Sequence, residues 1–215
     1  MKHLAIIADG NRRWAKENDL PVETGYPAGL ATIERICEWA IARQVEYLTV
    51  YCFSTENWSR PQEQVDAIME LARWCFSGRR DWYIARGIQV RFAGRRDRLA
   101  ADIADSMNVM EQETQSGRNL TMTICMDYGG RDEIVRAIQK GARTEKEITW
   151  MLTHGIPDPD TILRTGGHQR LSNFMLWQCA YSELYFTDTL FPALEDEELD
   201  SVLAQYEMVE QHYGC

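Results

Sequence analysis

Short apolar runs alternating with segments of helical period constrain this chain more than any other feature. Leu4 to Ile7, Tyr47 to Phe53, Ile88 to Phe92, Leu120 to Met126, Thr161 to Leu163 and Leu184 to Phe186 are the strand candidates, and helices fall between them. This alternation predicts an α/β fold, an open and mostly parallel sheet flanked by helices. In the clearest helix, about residues 29 to 43, Leu30, Ile33, Ile36, Cys37, Ala40 and Ile41 recur at steps of three and four and give one apolar face to lie on the sheet. Pro61 suits the first turn of the next helix. That helix carries Val65, Ile68, Met69, Ala72, Cys75 and Phe76 on one side, either as ordinary core or as the wall of a lipid-shaped tunnel. Period alone does not separate the two. The acidic run Glu195 to Glu198 ahead of Leu199 reads as a helix start whose carboxylates complement the helix dipole.

At 215 residues a single domain spanning 1–215 is expected. A net charge of −10 argues against nucleic acid as a partner, because phosphate backbones require a basic face. Anionic small molecules remain possible. The six cysteines, Cys37, Cys52, Cys75, Cys125, Cys179 and Cys215, form no Cys-x-x-Cys pair and mostly sit in apolar runs. They imply a reduced, cytoplasmic protein. No transmembrane segment and no signal peptide is expected.

Three loops carry the chemistry. The strand at Leu4 to Ile7 runs into Ala8-Asp9-Gly10-Asn11-Arg12-Arg13-Trp14, a turn with a carboxylate and two arginines. The strand ending at Phe53 runs into Ser54-Thr55-Glu56-Asn57-Trp58-Ser59-Arg60. After Leu163 come Arg164, a glycine pair, His168, Arg170 and Ser172. Guanidinium forks match phosphate oxygens two at a time, and paired glycines let backbone amides approach, so Arg164, Arg170 and Ser172 read as a diphosphate cradle. If the three strands are parallel neighbours, their loops gather at one sheet edge, where open α/β folds bind ligands. Asn11 and Asn57 are too weakly basic to take protons alone and are read as groups that orient substrate, water or a diphosphate oxygen. Trp14 and Trp58 are either core aromatics or walls that stabilise a cation.

The motifs Asp-Gly-Asn-x-Arg-Trp-Ala, Phe-Ser-x-Glu-Asn-Trp-x-Arg-Pro and Arg-Thr-Gly-Gly-x-x-Arg-x-Ser-Asn-Phe resemble signatures of the cis-prenyltransferases, the undecaprenyl diphosphate synthase family. The likeness runs from about Leu4 to Gly214. The resemblance implies a homodimer with an elongated hydrophobic pocket leading from a diphosphate site, and not a Rossmann dinucleotide fold. It also implies Mg²⁺ held by Asp9 and by Glu183 of Ala180-Tyr-Ser-Glu183, with Arg13, Arg60, Arg164 and Arg170 spreading the remaining charge. From the residues alone, Asp9 is as well explained as a cap or turn residue and Glu183 as a solvated edge charge. Gly10, Arg12, Trp14, Tyr26, Ser54, Thr55, Glu56, Trp58, His168 and Ser172 complete the expected substrate contacts.

Departures from the family pattern carry information too. Where the family has an arginine followed four residues later by Gly-His, this chain has Val22 and Gly25-Tyr26; His168 replaces a glutamate, and the C-terminal Arg-x-Gly reads His212-Tyr213-Gly214. These changes resemble the irregular branch that makes lavandulyl-type diphosphates. The expected function is therefore Mg²⁺-dependent coupling of an allylic diphosphate of five or ten carbons (dimethylallyl or geranyl) to dimethylallyl diphosphate by head-to-middle attack. Tyr26 and His168 are the residues expected to tune orientation or the proton's exit. The alternatives are regular head-to-tail addition of isopentenyl diphosphate, or a non-catalytic partner subunit.

Overall fold

The structure, a computed structural model, describes residues 1–209. Six strands form one parallel sheet: β1 His3–Ile7, β2 Tyr47–Ser54, β3 Ile88–Ala93, β4 Leu120–Tyr128, β5 Thr161–Arg164 and β6 Glu183–Phe186, in the order β3-β4-β2-β1-β5-β6. The helices are α1 Asn11–Glu17, α2 Gly25–Ala42, α3 Gln62–Gly78, α4 Arg80–Ala85, α5 Ala101–Thr114, α6 Gly130–Gln139, α7 Glu145–Thr153 and α8 Asp196–Met208. All six expected strands are present. Their legibility follows from burial on both faces, which makes parallel strands read as continuous apolar runs.

β1 illustrates the two-sided packing. Leu4 and Ile6 join the larger core with Ile36, Val65, Phe76, Ile103 and Leu199, whereas Ala5 and Ile7 join a smaller cluster with Tyr51, Tyr128, Ile162 and Phe174. At the entry to β1, buried His3 bonds Pro157 O through Nδ1 at 2.7 Å and Thr49 Oγ1 through Nε2 at 2.8 Å, tying β1 to β2 and to the segment before β5. Desolvation lowers the His3 pKa to about 4, so the ring is neutral at ordinary pH.

Two boundaries differ from the sequence reading. α2 begins at Gly25, out of a 3-10 turn at Val22–Thr24, several residues before the apolar period becomes visible. Pro61 is the residue ahead of α3 rather than its first residue, a shift within the usual uncertainty of helix ends. The acidic run does open a helix, α8. Among the described residues no helix is long and apolar enough to cross a membrane. His212-Tyr213-Gly214 lies outside the described residues.

Candidate active site

β2, β1 and β5 are adjacent and parallel, with Ile7 in register with both Tyr51 and Arg164. Their following loops therefore meet at one edge of the sheet. Asp9 is fixed there by Thr165, whose hydroxyl accepts from Asp9 N at 3.1 Å and donates to Asp9 O at 2.7 Å. Gly10 then starts α1 at φ 111°, a left-handed conformation that favours glycine.

Arg164, only 4 % exposed, is the organising cation. Its Nη2 donates to Asp9 Oδ2 at 2.8 Å, while Nη1 donates to Ser172 Oγ at 2.7 Å and to Arg170 O at 2.6 Å. Arg13 Nη2 lies 3.5 Å from Asp9 Oδ1 and donates to Gly166 O at 2.7 Å. A buried charge needs such partners, since removing one leaves the other desolvated and unpaired. A Cβ on Gly166 would overlap the Arg13 guanidinium, which explains a glycine at that point of the turn.

These loops form the head of a cavity of about 550 Å³. Asp9, Gly10, Asn11, Arg12, Arg13, Tyr26, Ser54, Asn57, Arg60, Arg164 and Ser172 line it, as does Lys16. Its tail is apolar: Leu30 and Ile33 from α2, Ile68, Leu71, Ala72, Cys75 and Phe76 from α3, Tyr83 from α4, and Met122, Ile124 and Met126 from β4. The α3 face is thus core and cavity wall at once. Asn11 Oδ1, Tyr26 Oη, Arg12 Nε and Arg164 Nε are buried without a hydrogen-bond partner, an arrangement that a polar ligand would complete. Many arginines elsewhere are ion-paired, as Arg79 with Glu34 and Arg43 with Asp200. Among the described residues Arg12, Lys16 and Arg60 have no ion pair. Unpaired cations facing one cavity in a chain of net charge −10 suit a multivalent anion.

The second loop is shaped by Asn57, whose Oδ1 accepts from Ser54 N at 3.1 Å. Trp58 turns inward instead of lining the cavity. Its Nε1 donates to Asp127 Oδ1 at 2.9 Å, and its ring packs edge-on against Phe53 at 5.1 Å. Asp127 is fully buried and also bonded by Arg98. Trp14, Thr55, His168 and the Arg170 side chain also lie off the cavity lining; Arg170 reaches the site only through its carbonyl. Glu56 faces Asn173, whose Nδ2 donates to Glu56 Oε1 at 2.8 Å.

Glu183 lies apart from Asp9 in the chain. It opens β6 in register with Thr161, at the start of β5, whereas Asp9 follows the strand ends near Arg164. Within one chain the two carboxylates sit at opposite edges of the sheet and do not share a metal. Among the described residues no group of three metal-ligating side chains occurs. Asp9 alone still fits Mg²⁺ carried on a substrate, because that ion binds through one or two carboxylates plus phosphate oxygens.

Sequence reasoning missed Lys16, although its position one turn after Arg12 on α1 was the available signal. It also missed Cys52. β2 shifts register against β4 between Tyr51 and Phe53, and the exposed Cys52 lines the cavity. Its exposure is to the cavity, and the protein packed around the thiol desolvates it and pushes its pKa up to about 12.

Comparison with known proteins agrees with this geometry. The model of the prenyltransferase family described as undecaprenyl diphosphate synthase matches residues 7–214. An isoprenyl transferase of Aquifex pyrophilus is 41% identical over 220 residues, covering 99% of this chain and 95% of that one. One from Fusobacterium nucleatum is 38% identical over 99% of this chain and 95% of its own length. Among solved structures, lavandulyl diphosphate synthase from Lavandula x intermedia in complex with dimethylallyl diphosphate superposes with a TM-score of 0.94 at 29% identity, covering 100% of this chain and 98% of that one. A probable undecaprenyl diphosphate synthase from Campylobacter jejuni gives a TM-score of 0.85 at 32% identity, covering 100% and 99%. The chain therefore belongs to the undecaprenyl diphosphate synthase family of cis-prenyltransferases, and it is a prenyl diphosphate synthase of that type.

Proposed function

We propose that the enzyme is a short-chain synthase that couples an allylic diphosphate, dimethylallyl or geranyl, to dimethylallyl diphosphate by irregular head-to-middle attack. The observation that carries this reading is the cavity itself, with a cationic head around Asp9 and a single apolar tail within about 550 Å³. That volume lies inside the range of about 300–1,000 Å³ usual for small-molecule pockets and suits short chains. The likeness to lavandulyl diphosphate synthase over essentially the whole of both chains supports the irregular branch. So does Tyr26, a neutral phenol with an unpartnered oxygen at the cavity.

In this reading Arg12, Arg13, Lys16 and Arg60 hold diphosphate oxygens, while Arg164 and Ser172 fix Asp9 and complete the anion site. Asn11 and Asn57 orient the reacting groups. Mg²⁺ held by Asp9 and the substrate's phosphates would neutralise the leaving diphosphate. The allylic carbon–oxygen bond breaks with its electron pair leaving on diphosphate, and C2 of the second dimethylallyl unit attacks the cation. The resulting tertiary cation at C3 loses a methyl proton, giving an isopropenyl branch. Asp9 is the one carboxylate among the described lining residues, and it is tied to Arg164, so the released diphosphate takes the proton. Leu30, Ile68 and Leu71 exclude water from the cation.

Isopentenyl diphosphate and regular head-to-tail addition form the second reading, favoured by the identity to bacterial isoprenyl transferases. Incubating purified enzyme and Mg²⁺ with dimethylallyl diphosphate alone, then with geranyl plus isopentenyl diphosphate, separates the two by product mass and branching. A branched ten-carbon product from dimethylallyl diphosphate alone is expected. Product formed only when isopentenyl diphosphate is present would select the regular reaction. We further read the exposed Val135 and Ile138 of α6, Trp150 of α7 and Leu184 of β6 as the surface on which a second copy packs; sedimentation of a monomer at working concentration would refute this.

A further inference from the structure

The loop after β5 holds three non-glycine residues in the left-handed region, Ser172 (φ 48°), Asn173 (φ 64°) and Met175 (φ 41°). Such conformations cost on the order of 1 kcal/mol or more each and persist only where the surroundings enforce them. Asn173 is the point of enforcement. Its Oδ1 accepts from Arg131 N at 2.9 Å and its carbonyl accepts from Gly130 N at 2.7 Å. Both amides belong to the first turn of α6, whose N–H groups have no partner inside the helix. Its Nδ2 donates to Glu56 Oε1 at 2.8 Å, which reaches across to the loop after β2.

The glycine pair at the start of α6 makes room for this joint. A Cβ on Gly129 would stand 2.8 Å from Asn173 Nδ2 and 2.6 Å from Thr55 Oγ1, and one on Gly130 would stand 3.2 Å from Asn173 O. One residue back, Ser172 Oγ accepts from Arg164 Nη1 at 2.7 Å, and Ser172 O accepts from Tyr51 Oη at 3.3 Å. The strained segment thus ends on the fork that holds Asp9.

We propose that Asn173 and Glu56 form a latch between the loops after β5 and β2, a pair of positioning residues that hold Ser172 and Arg164 in place for the diphosphate without touching substrate. The role assigned to the latch rests on reading the cavity as a prenyl diphosphate site. Glu56 suits the acceptor's part: burial alone would raise its pKa, but the bond from Asn173 and nearby backbone and hydroxyl bonds outweigh it and hold the carboxyl below its ordinary value.

An exchange of donor and acceptor tests the latch. Glu56→Gln keeps a carbonyl acceptor for Asn173 Nδ2 and is the second single variant of the cycle. Asn173→Asp turns a carboxylate toward Glu56 and is expected to raise KM for the diphosphate about tenfold, with a smaller change in kcat. In the double variant the glutamine amide donates to the aspartate, and KM is expected to return to within about threefold of wild type. A double variant no better than Asn173→Asp, or a wild-type KM in Asn173→Asp, overturns the proposal. Thermal unfolding of all four proteins separates loss of fold from loss of position.

Hydrogen exchange at the Gly130 and Arg131 amides reads the same joint without turnover. Slow exchange in wild type and faster exchange in Asn173→Ala are expected, and equal rates would refute the latch. If the wild type converts no prenyl diphosphate, the proposed function fails while the exchange measurement still decides the joint.

Discussion

Gly25 and Gly29 lie one turn apart on α2, and both face Asn11, yet alanine at the two positions should fail in different ways. A Cβ on Gly25 would land on the Asn11 carbonyl, 2.7 Å from its carbon, so the obstacle is the backbone of α1. A Cβ on Gly29 would land on Asn11 Oδ1, with Cγ at 3.1 Å and Phe191 Cδ1 at 3.5 Å, so only a side-chain end must move. Alanine gains about 1 kcal/mol over glycine inside a helix. Moving the Asn11 amide breaks one neutral hydrogen bond, Nδ2 to Ala8 O at 3.2 Å, worth about 1 kcal/mol. The two effects nearly cancel, and Gly29→Ala should keep its stability to within about 1 kcal/mol.

Gly25→Ala has no such escape and should lose about 1–3 kcal/mol to overpacking. Activity should show the reverse contrast for Gly29→Ala. With Asn11 displaced from the cavity, one contact to a charged substrate is lost, and kcat/KM should fall about 10- to 100-fold in a stable protein. Urea unfolding paired with steady-state turnover of dimethylallyl diphosphate measures both quantities. Equal destabilisation of the two variants, or full activity in Gly29→Ala, would refute the reasoning.

Glu133, buried beneath the Tyr128 hydroxyl and Gln178 Nε2, has its pKa raised by desolvation from 4.5 to about 7. A raised carboxyl means the folded state holds the proton longer, so the contribution of Glu133 to stability falls as pH climbs from 4.5 to about 7 and is flat above. Glu133→Gln should therefore be more stable than wild type at pH 8 by up to about 3 kcal/mol, and no gain in urea unfolding would contradict this. His3 has the opposite sign: its folded pKa is depressed to about 4, so its own contribution to stability drops as pH falls from about 6.5 to 4, and His3→Gln should remove that contribution from the pH curve. Arg164→Lys keeps the charge but loses the fork to Asp9, Ser172 and Arg170, and should lower kcat/KM at least about 100-fold. His168→Ala, in an exposed position off the cavity, should stay within about threefold of wild type.

Strand positions and the meeting of three loops were legible because both depend on local pattern and on parallel topology. The apolar runs of β1, β2 and β5 mark buried strands, and adjacency of the three brings Asp9 to Arg164 without further information. Side-chain direction was not legible. Trp58 points inward because Asp127, far away in sequence, supplies a buried acceptor, and Glu56 points sideways because Asn173 donates to it. The separation of Glu183 from Asp9 within one chain was not legible, because strand register decides which sheet edge a residue occupies and the pairing with Thr161 reveals it. Cys52 enters the cavity through a register shift in β2 that no two-residue period announces.

The central claim is that the loops after β1, β2 and β5 hold a prenyl diphosphate by its head while α2, α3 and β4 sheathe its tail. A crystal structure with dimethylallyl S-thiolodiphosphate, whose carbon–sulfur bond resists ionisation, tests this most directly. The account predicts diphosphate oxygens within hydrogen-bonding distance of Arg13 and Arg60, next to Asp9, with the five-carbon tail against Leu30 and Ile68. Density for the diphosphate away from Asp9, or for the tail outside the cavity, would contradict it.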